Sequence, residues 1–151
     1  MGVHVAAVAS RVVQSLFVLR TLKSHGLYDM ALHCMCTAIL VSRLIYALPA
    51  WFGFASELNV GRIQSVQGRA ARQGLAGSHS LPTLTELAAR SDQVLFKSAT
   101  SNPLHILHQF LPPLVFHSHN LRRRPHNFIL PKSTTLRSHN YLHRMLYKDY
   151  H

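Results

Sequence analysis

The sequence predicts an all-α protein: a small helical bundle followed by a basic C-terminal tail that prolines interrupt. Apolar residues recur at steps of three and four through most of the first 111 residues, which is the period of an amphipathic helix. Hydrophobic residues make up 48% of the chain, enough for a core. Helix start and stop signals separate the periodic stretches. We therefore expect a helical domain over 1–111 and a basic tail over 112–151 with a short terminal helix.

The first two predicted helices carry most of this periodicity. The first ends near His25 and Gly26, where glycine can take the left-handed conformation of a C-cap. Its apolar face consists of Val5, Val8, Val12, Leu16 and Leu19. The second helix is expected from about Tyr28 to Tyr46, apolar on most sides and therefore central, and Pro49 ends it. A cluster of aromatic core residues then follows: Trp51, Phe52 and Phe54.

The third helix is expected to begin at the N-cap Ser56 and to end at Gly74. Its apolar positions, Val60, Ile63 and Ala70, share one face, and three arginines share the opposite one. These arginines are Arg62, Arg69 and Arg72. Gly61 and Gly68 lie inside the helix, and each costs about 1 kcal/mol relative to alanine.

The remaining helices have clear start signals. Thr83 and Glu86 have the spacing of a capping box for a fourth helix. Asn102 is the expected N-cap of a short helix that begins at Pro103 and runs to about Phe110. A last amphipathic turn or two is expected to dock on the helical core through Tyr141, Leu142, Met145 and Leu146.

The charge balance is strongly basic, with 16 Lys and Arg against 5 Asp and Glu and a net charge of +11. This excess favours polyanionic partners, either nucleic acid or an anionic membrane surface. Arg11 and Arg20 interrupt any signal-peptide core. The apolar stretch 30–54 contains His, Arg, Pro and Gly, which favours a buried helix over a membrane span. We expect an intracellular protein, nuclear or cytoplasmic, that is neither secreted nor transmembrane.

The soft metal ligands do not have the spacing of a metal site. Cys34 and Cys36 project about 200° apart on a helix, which disfavours a mutual disulfide, and reduced thiols are expected. Together with the pairs His105/His108 and His117/His119, they lack the four-ligand spacing of structural zinc. No metal and no cofactor are expected.

The acidic residues do not form a catalytic pair. Polymerases and nucleases hold divalent metals between paired carboxylates. The five acids are dispersed, with no two adjacent: Asp29, Glu57, Glu86, Asp92 and Asp149. No nucleophile elbow of the Gly-x-Ser-x-Gly form occurs either. We therefore expect no catalytic residues, no enzymatic activity of the chain on its own and no small-molecule substrate.

Several blocks along the chain form a recognisable series. They are QSLFVLRTLKSHGL (14–27), LIYALPAWFGF (44–54), NPLHILH (102–108), LPP (111–113), NLRRRPHN (120–127), LPK (130–132) and YLHRMLYKD (141–149). In this order they resemble the extreme C-terminus of reverse transcriptases from non-LTR retrotransposons of the LINE type, jockey-like elements in particular. The resemblance spans roughly residues 11–150. It implies the region after the polymerase palm, because the family's aromatic-x-Asp-Asp catalytic turn has no counterpart here.

In such a polymerase the region after the palm forms an α-helical thumb that grips the template–primer duplex by its backbone. The resemblance thus implies nonspecific contact with RNA or DNA, with the missing palm as a further partner. The expected contacts are Arg62, Arg69, Arg72, Arg122, Arg123, Arg124, Lys132, Arg144 and Lys148. No side-chain pattern for reading base edges is present. Three alternatives stay open: a solvated arginine face on the third helix, a non-functional structural relic of a transposon, and a basic amphipathic protein on anionic membranes.

The run Arg122–Arg124 has few acidic partners in this chain, so we expect it to contact phosphates. Replacing all three by alanine should flatten the dependence of log affinity on log salt by about 2–3 units. The measurement is titration of a labelled RNA–DNA hybrid at several salt concentrations. An affinity that barely moves between low and moderate salt would falsify phosphate contact.

Overall fold

The computed structural model describes residues 2–76, 80–115, 126–132, 134 and 138–148. Its contacts divide the chain into two compact units, Met1–Ala89 and Arg90–His151. Within the described residues the regular elements are helices, apart from one isolated antiparallel bridge between Leu114 and Phe128. The predicted fold class, an all-α small helical bundle, is confirmed. The division into 1–111 and 112–151 stays a prediction.

The described helices fall into the two units as follows. The first unit contains α1 (Gly2–Ser24), α2 (Asp29–Cys36), α3 (Ser42–Ile45), α4 (Leu48–Trp51) and α5 (Glu57–Arg72). A π-helical segment, Thr37–Val41, joins α2 to α3, and a 3-10 turn, Phe52–Phe54, follows α4. Next comes α6 (Leu84–Ser101), within which the division between the units falls. The second unit also contains a 3-10 turn, His108–Phe110, and α7 (Tyr141–Tyr147).

The helix α1 ends as its sequence predicts. Gly26 follows it with φ of +81°, the left-handed conformation that glycine adopts without steric cost. Its predicted apolar face is buried in the core at Val8, Val12, Leu16 and Leu19. The side chain of Val5 lies outside the described residues.

The predicted second helix consists of three segments that run without a break over Asp29–Ile45. Its core stripe is Leu32, Cys36, Leu40 and Leu44, each at most 1% exposed. Burial raises the pKa of the Cys36 thiol to about 11, while Cys34 is exposed, and both are free thiols. A low fraction of thiolate makes Cys36 a packing residue rather than a nucleophile.

Pro49 does not end this helix, and that part of the prediction is wrong. The helix ends at Ile45, and the chain bends by 45° around Ala47, whose φ of 51° is left-handed. Pro49 instead lies in the first turn of α4, where its missing N–H leaves no helical hydrogen bond unmade. Of the predicted aromatic cluster, Trp51 is fully inside and donates from Nε1 to the Tyr46 carbonyl at 3.1 Å. Phe54 is 41% exposed.

The caps of α5 and α6 form as predicted. Ser56 Oγ accepts a hydrogen bond from the Asn59 N–H at 3.4 Å, and Gly74 has φ of +62° beyond the end of α5. At α6 the capping box is complete. Glu86 Oε2 accepts from the Thr83 N–H at 2.8 Å, and Thr83 Oγ1 accepts from the Glu86 N–H at 3.2 Å.

The predicted helix from Pro103 to Phe110 is wrong. Asn102 Oδ1 does accept a hydrogen bond from the Leu104 N–H at 3.0 Å, but 103–107 form turns and only 108–110 form a 3-10 turn. The cause is local competition. His105 Nδ1 takes the Leu107 N–H at 3.1 Å, a donor that a continuing helix would direct to a backbone carbonyl.

The predicted terminal helix is present as α7. Asn140 Oδ1 caps it by accepting from the Leu142 N–H at 3.0 Å. It docks on the second-unit part of α6, where Tyr141 donates its hydroxyl hydrogen to the Asp92 carbonyl at 3.0 Å. Tyr141, Met145 and Leu146 are buried, and Leu142 is half-buried.

By length and composition, no one helix of the described chain could cross a bilayer. The bent pair of Asp29–Ile45 and Leu48–Phe54, with 45° between its parts, passes the same test when taken together.

The two glycines inside α5 give a test of the helix. A Cβ at Gly61 would meet nothing within 4 Å, and one at Gly68 would meet only Arg72 Nη1 at 3.9 Å. We expect each change to alanine to raise the free energy of unfolding by about 0.5–1 kcal/mol in urea denaturation.

Gly74 is the matched counter-example. Its φ is left-handed, and an added Cβ would lie 2.6 Å from Lys23 Nζ. Gly74→Ala should therefore lower the free energy of unfolding, because it strains the turn and displaces the lysine. Equal effects at Gly68 and Gly74 would contradict this assignment of the three positions.

Candidate nucleic-acid interface

Three of the predicted contact residues lie on the outer face of α5. Arg62, Arg69 and Arg72 are exposed and fall within an arc of about 80° around the helix axis. The opposite face buries Ile63 and Ala70 in the core. Among the described residues, none of the three guanidinium groups has an ion pair or hydrogen bond. Their charge therefore faces solvent without a counter-charge from the residues that the structure describes.

Two further cations join this face at its C-terminal end. Because α1 packs against α5, Arg20 Nε donates to Gln73 Oε1 at 2.9 Å. Lys23 Nζ donates to the carbonyls of Gln73 and Gly74 at 2.8 and 3.2 Å. The carboxyl ends of α1 and α5 thus lie together. We call Arg20, Lys23, Arg69 and Arg72 the α1–α5 basic cluster.

The two added residues have different roles in the cluster. Lys23 lies on the carbonyl end of α5, where its charge offsets the negative end of the helix dipole. Arg20 uses Nε for Gln73, which fixes the plane of its guanidinium group. Sequence reasoning did not find either residue. The basic last turn of α1 was the available signal, but it does not say which helix lies beside it.

The cluster has four cations, and the whole first unit has three acidic residues: Asp29, Glu57 and Glu86. Its balance is therefore positive, and Glu86 is held in the capping box of α6. Glu57 begins α5, about 22 Å along the helix from Arg72. At physiological ionic strength that separation exceeds the screening length of about 8 Å, so Glu57 does little to neutralise the far end.

The predicted contacts of the tail divide into three groups. Arg122, Arg123 and Arg124 lie outside the described residues. Lys132 is exposed, and Lys148 lines a cavity. Arg144 is different: its Nη2 is 2.9 Å from Asp92 Oδ2, and the two side chains are only 21% and 11% exposed.

Because of this ion pair, the first role of Arg144 is structural. Burial raises the pKa of Asp92, and the charge and hydrogen bond of Arg144 oppose that rise, with a smaller contribution from Lys148. Burial also raises the pKa of Tyr141, beside the Asp92 charge. The group ties α7 to α6 through one ion pair and one hydroxyl bond. Contact of Arg144 with nucleic acid stays a prediction.

In the part of the chain that the structure describes, no group of three or more His, Cys, Asp or Glu lies close enough together to hold a metal ion. Comparison with family models, curated proteins and solved structures finds no match to this chain.

Removal of the Arg144 charge tests the structural role. Arg144→Ala leaves Asp92 buried without its partner, and we expect a loss of about 2–3 kcal/mol at pH 7, since both side chains keep some solvent contact. The measurement is chemical denaturation followed by circular dichroism. Arg90→Ala, an exposed arginine on the same helix, should change stability by under about 0.5 kcal/mol.

The pH dependence of the same variant has a definite sign. Because the pKa of Asp92 is raised in the folded protein, the native state holds a proton that the unfolded state releases, and stability falls as pH rises above the ordinary carboxyl value of 3.8. Without Arg144 this pKa rises further. The loss caused by Arg144→Ala should thus be smaller at pH 4 than at pH 7, and a larger loss at pH 4 would contradict the assignment.

Proposed function

We propose that this chain is the thumb and basic tail of a non-LTR retrotransposon reverse transcriptase, an RNA-directed DNA polymerase. In this proposal it binds the template–primer backbone without reading sequence, and it performs no chemistry itself. The sequence blocks and the all-α fold support the family assignment. The observation that carries the binding function is the α1–α5 basic cluster, with unpaired guanidinium groups on an outward face.

The physical basis is release of counterions. A duplex carries a dense row of phosphates with condensed cations, and each protein cation that replaces one returns an ion to solution. Arg69 and Arg72 are three residues apart on one helix, so their Cβ atoms lie about 5–6 Å apart and their side chains can reach one strand together. Arg62 extends the same face by about two turns toward the start of α5. Phosphate contacts of this kind position a duplex and carry no sequence information.

Exposed apolar side chains on α1 favour the membrane alternative. On α1, Phe17 and Val18 are 71% and 50% exposed, and Arg20 follows them in the same helix. Exposed apolar side chains beside a cation also suit an anionic lipid surface. Co-sedimentation with phosphatidylserine vesicles, with the RNA–DNA hybrid as competitor, separates the two readings. Binding that the hybrid does not displace favours the membrane.

The decisive test is the salt dependence of hybrid binding. We expect Arg69→Ala/Arg72→Ala to reduce the slope of log affinity against log salt by about two units, because two phosphate contacts are lost. Two hybrids of unrelated sequence should bind the wild-type chain with the same affinity at each salt concentration. A strong preference for one of them contradicts backbone recognition.

The matched control is Arg11→Ala/Arg90→Ala. It removes two charges from exposed arginines that lie outside the cluster and leaves the net charge equal to that of the test variant. We expect its slope to stay near that of the wild type. Equal flattening in both variants would mean that net charge alone governs binding, and the proposed interface would then be wrong.

A further inference from the structure

The second unit contains a cavity of about 480 Å³, within the usual range for small-ligand sites. Part of its wall consists of three aromatic rings: Phe96, His126 and Phe128. The ring centroids are 6.0 Å apart for Phe96 and His126, 6.4 Å for Phe96 and Phe128, and 5.4 Å for His126 and Phe128. A wall of aromatic rings favours a flat, unsaturated ligand that can stack on it.

The ring of His126 is fixed at both nitrogens. Nδ1 accepts a hydrogen bond from the Phe128 N–H at 3.2 Å, so Nε2 carries the ring hydrogen and donates it to the Leu146 carbonyl at 2.9 Å. Both ring nitrogens are thus used in hydrogen bonds, and neither is left to bind a metal or a ligand. His126 therefore contributes a ring of fixed position to the cavity wall.

The rest of the described lining is mixed: Leu114 and Met145 are apolar, and the other side chains are polar or positive. Lys97 and Lys148 both line the cavity, as do the amides of Gln93 and Asn127, and none of the described lining residues carries a carboxylate. Lys148 also interacts with the charge of Asp92, which divides its attraction. Lys97 is exposed and has no such partner among the described residues, so it is the stronger anion ligand of the two.

The aromatic rings and the lysines together favour a ligand with a flat ring at one end and an anionic group at the other. Inorganic phosphate would use the lysines and leave the rings in water, and an apolar compound would do the reverse. A nucleotide has a base with a flat face for the rings and edge donors and acceptors for the amides, and it has a phosphate that matches the lysines. We propose that this cavity binds one nucleotide unit, with the base on the aromatic wall and the phosphate at Lys97 and Lys148.

The unit exists both as a free nucleotide and as one residue of a single strand. Bases in a duplex are stacked and paired, so duplex nucleic acid does not present it. The site uses neither the α1–α5 basic cluster nor the residues of the first unit. It therefore does not depend on the proposed function.

The first experiment is isothermal titration of the full chain with adenosine monophosphate, adenosine and inorganic phosphate. We expect saturable one-to-one binding of the monophosphate, weaker binding of adenosine and still weaker binding of phosphate. Absence of saturable binding at about 10 mM, ten times the 1 mM level of weak ligands, overturns the proposal. So does phosphate binding as tightly as the monophosphate, since the rings would then contribute nothing.

Variants separate the two ends of the ligand. Lys97→Ala should weaken the monophosphate about tenfold and leave adenosine unchanged, because one charge-assisted contact is lost. Phe96→Leu keeps an apolar side chain but removes a ring, and it should weaken both ligands. Arg90→Ala removes the same charge from the same helix outside the cavity and should change neither. An equal loss in Lys97→Ala and Arg90→Ala overturns the proposal.

Competition with a trimer of adenylate shows whether the bound nucleotide unit belongs to a single strand or is a free nucleotide. Displacement of the monophosphate by the trimer supports the site and assigns it to single strands, and failure to displace supports the site for free nucleotides alone. The nucleotide site and the α1–α5 basic cluster can also be tested separately. Lys97→Ala should leave the salt slope for the hybrid near wild type, and Arg69→Ala/Arg72→Ala should leave the affinity for the monophosphate unchanged.

Discussion

The first unit depends on how one helical stretch keeps its apolar side chains on one face. Leu32, Cys36, Leu40 and Leu44 are spaced by four residues, and all are at most 1% exposed. In a regular α-helix each four-residue step turns about 40° past a full turn, so three steps would rotate the stripe by about 120°. The π-helical segment Thr37–Val41 places more residues in a turn and offsets this drift. The stripe thus stays in the core along its whole length.

The position of the candidate interface follows from that core. The helix α1 packs against α2, α3 and α5. Burial of Val12, Leu16 and Leu19 sets which side of α1 faces the core. Burial of Leu19 leaves Arg20 and Lys23 free to reach the end of α5. The four cations of the α1–α5 basic cluster thus lie together because of apolar packing and not because of any attraction between them.

The sequence predicts features whose partners lie within a few residues. The Ser56 cap, the Thr83–Glu86 capping box and the turn at Gly26 are of this kind, because their hydrogen bonds join residues at fixed short separations. Contacts between Arg20 and Gln73 span 53 positions and depend on helix packing, which no local pattern specifies. The failure at Pro103 has the opposite cause. There the local side-chain bond of His105 competes with the helix, and the start signals do not register it.

Pairing with an acidic residue decides which basic residues are available to a partner. In a chain with 16 basic and 5 acidic residues, an arginine has little chance of an internal counter-charge, and exposure is the expected state. Arg144 departs from this because Asp92 is buried, and a buried carboxylate requires a partner more strongly than a surface one does. That pairing removes one acid from the surface, so the solvent-facing side chains around it keep their positive balance. Lys97 and Lys148 belong to this positive surface, and none of the described residues that line their cavity carries a carboxylate.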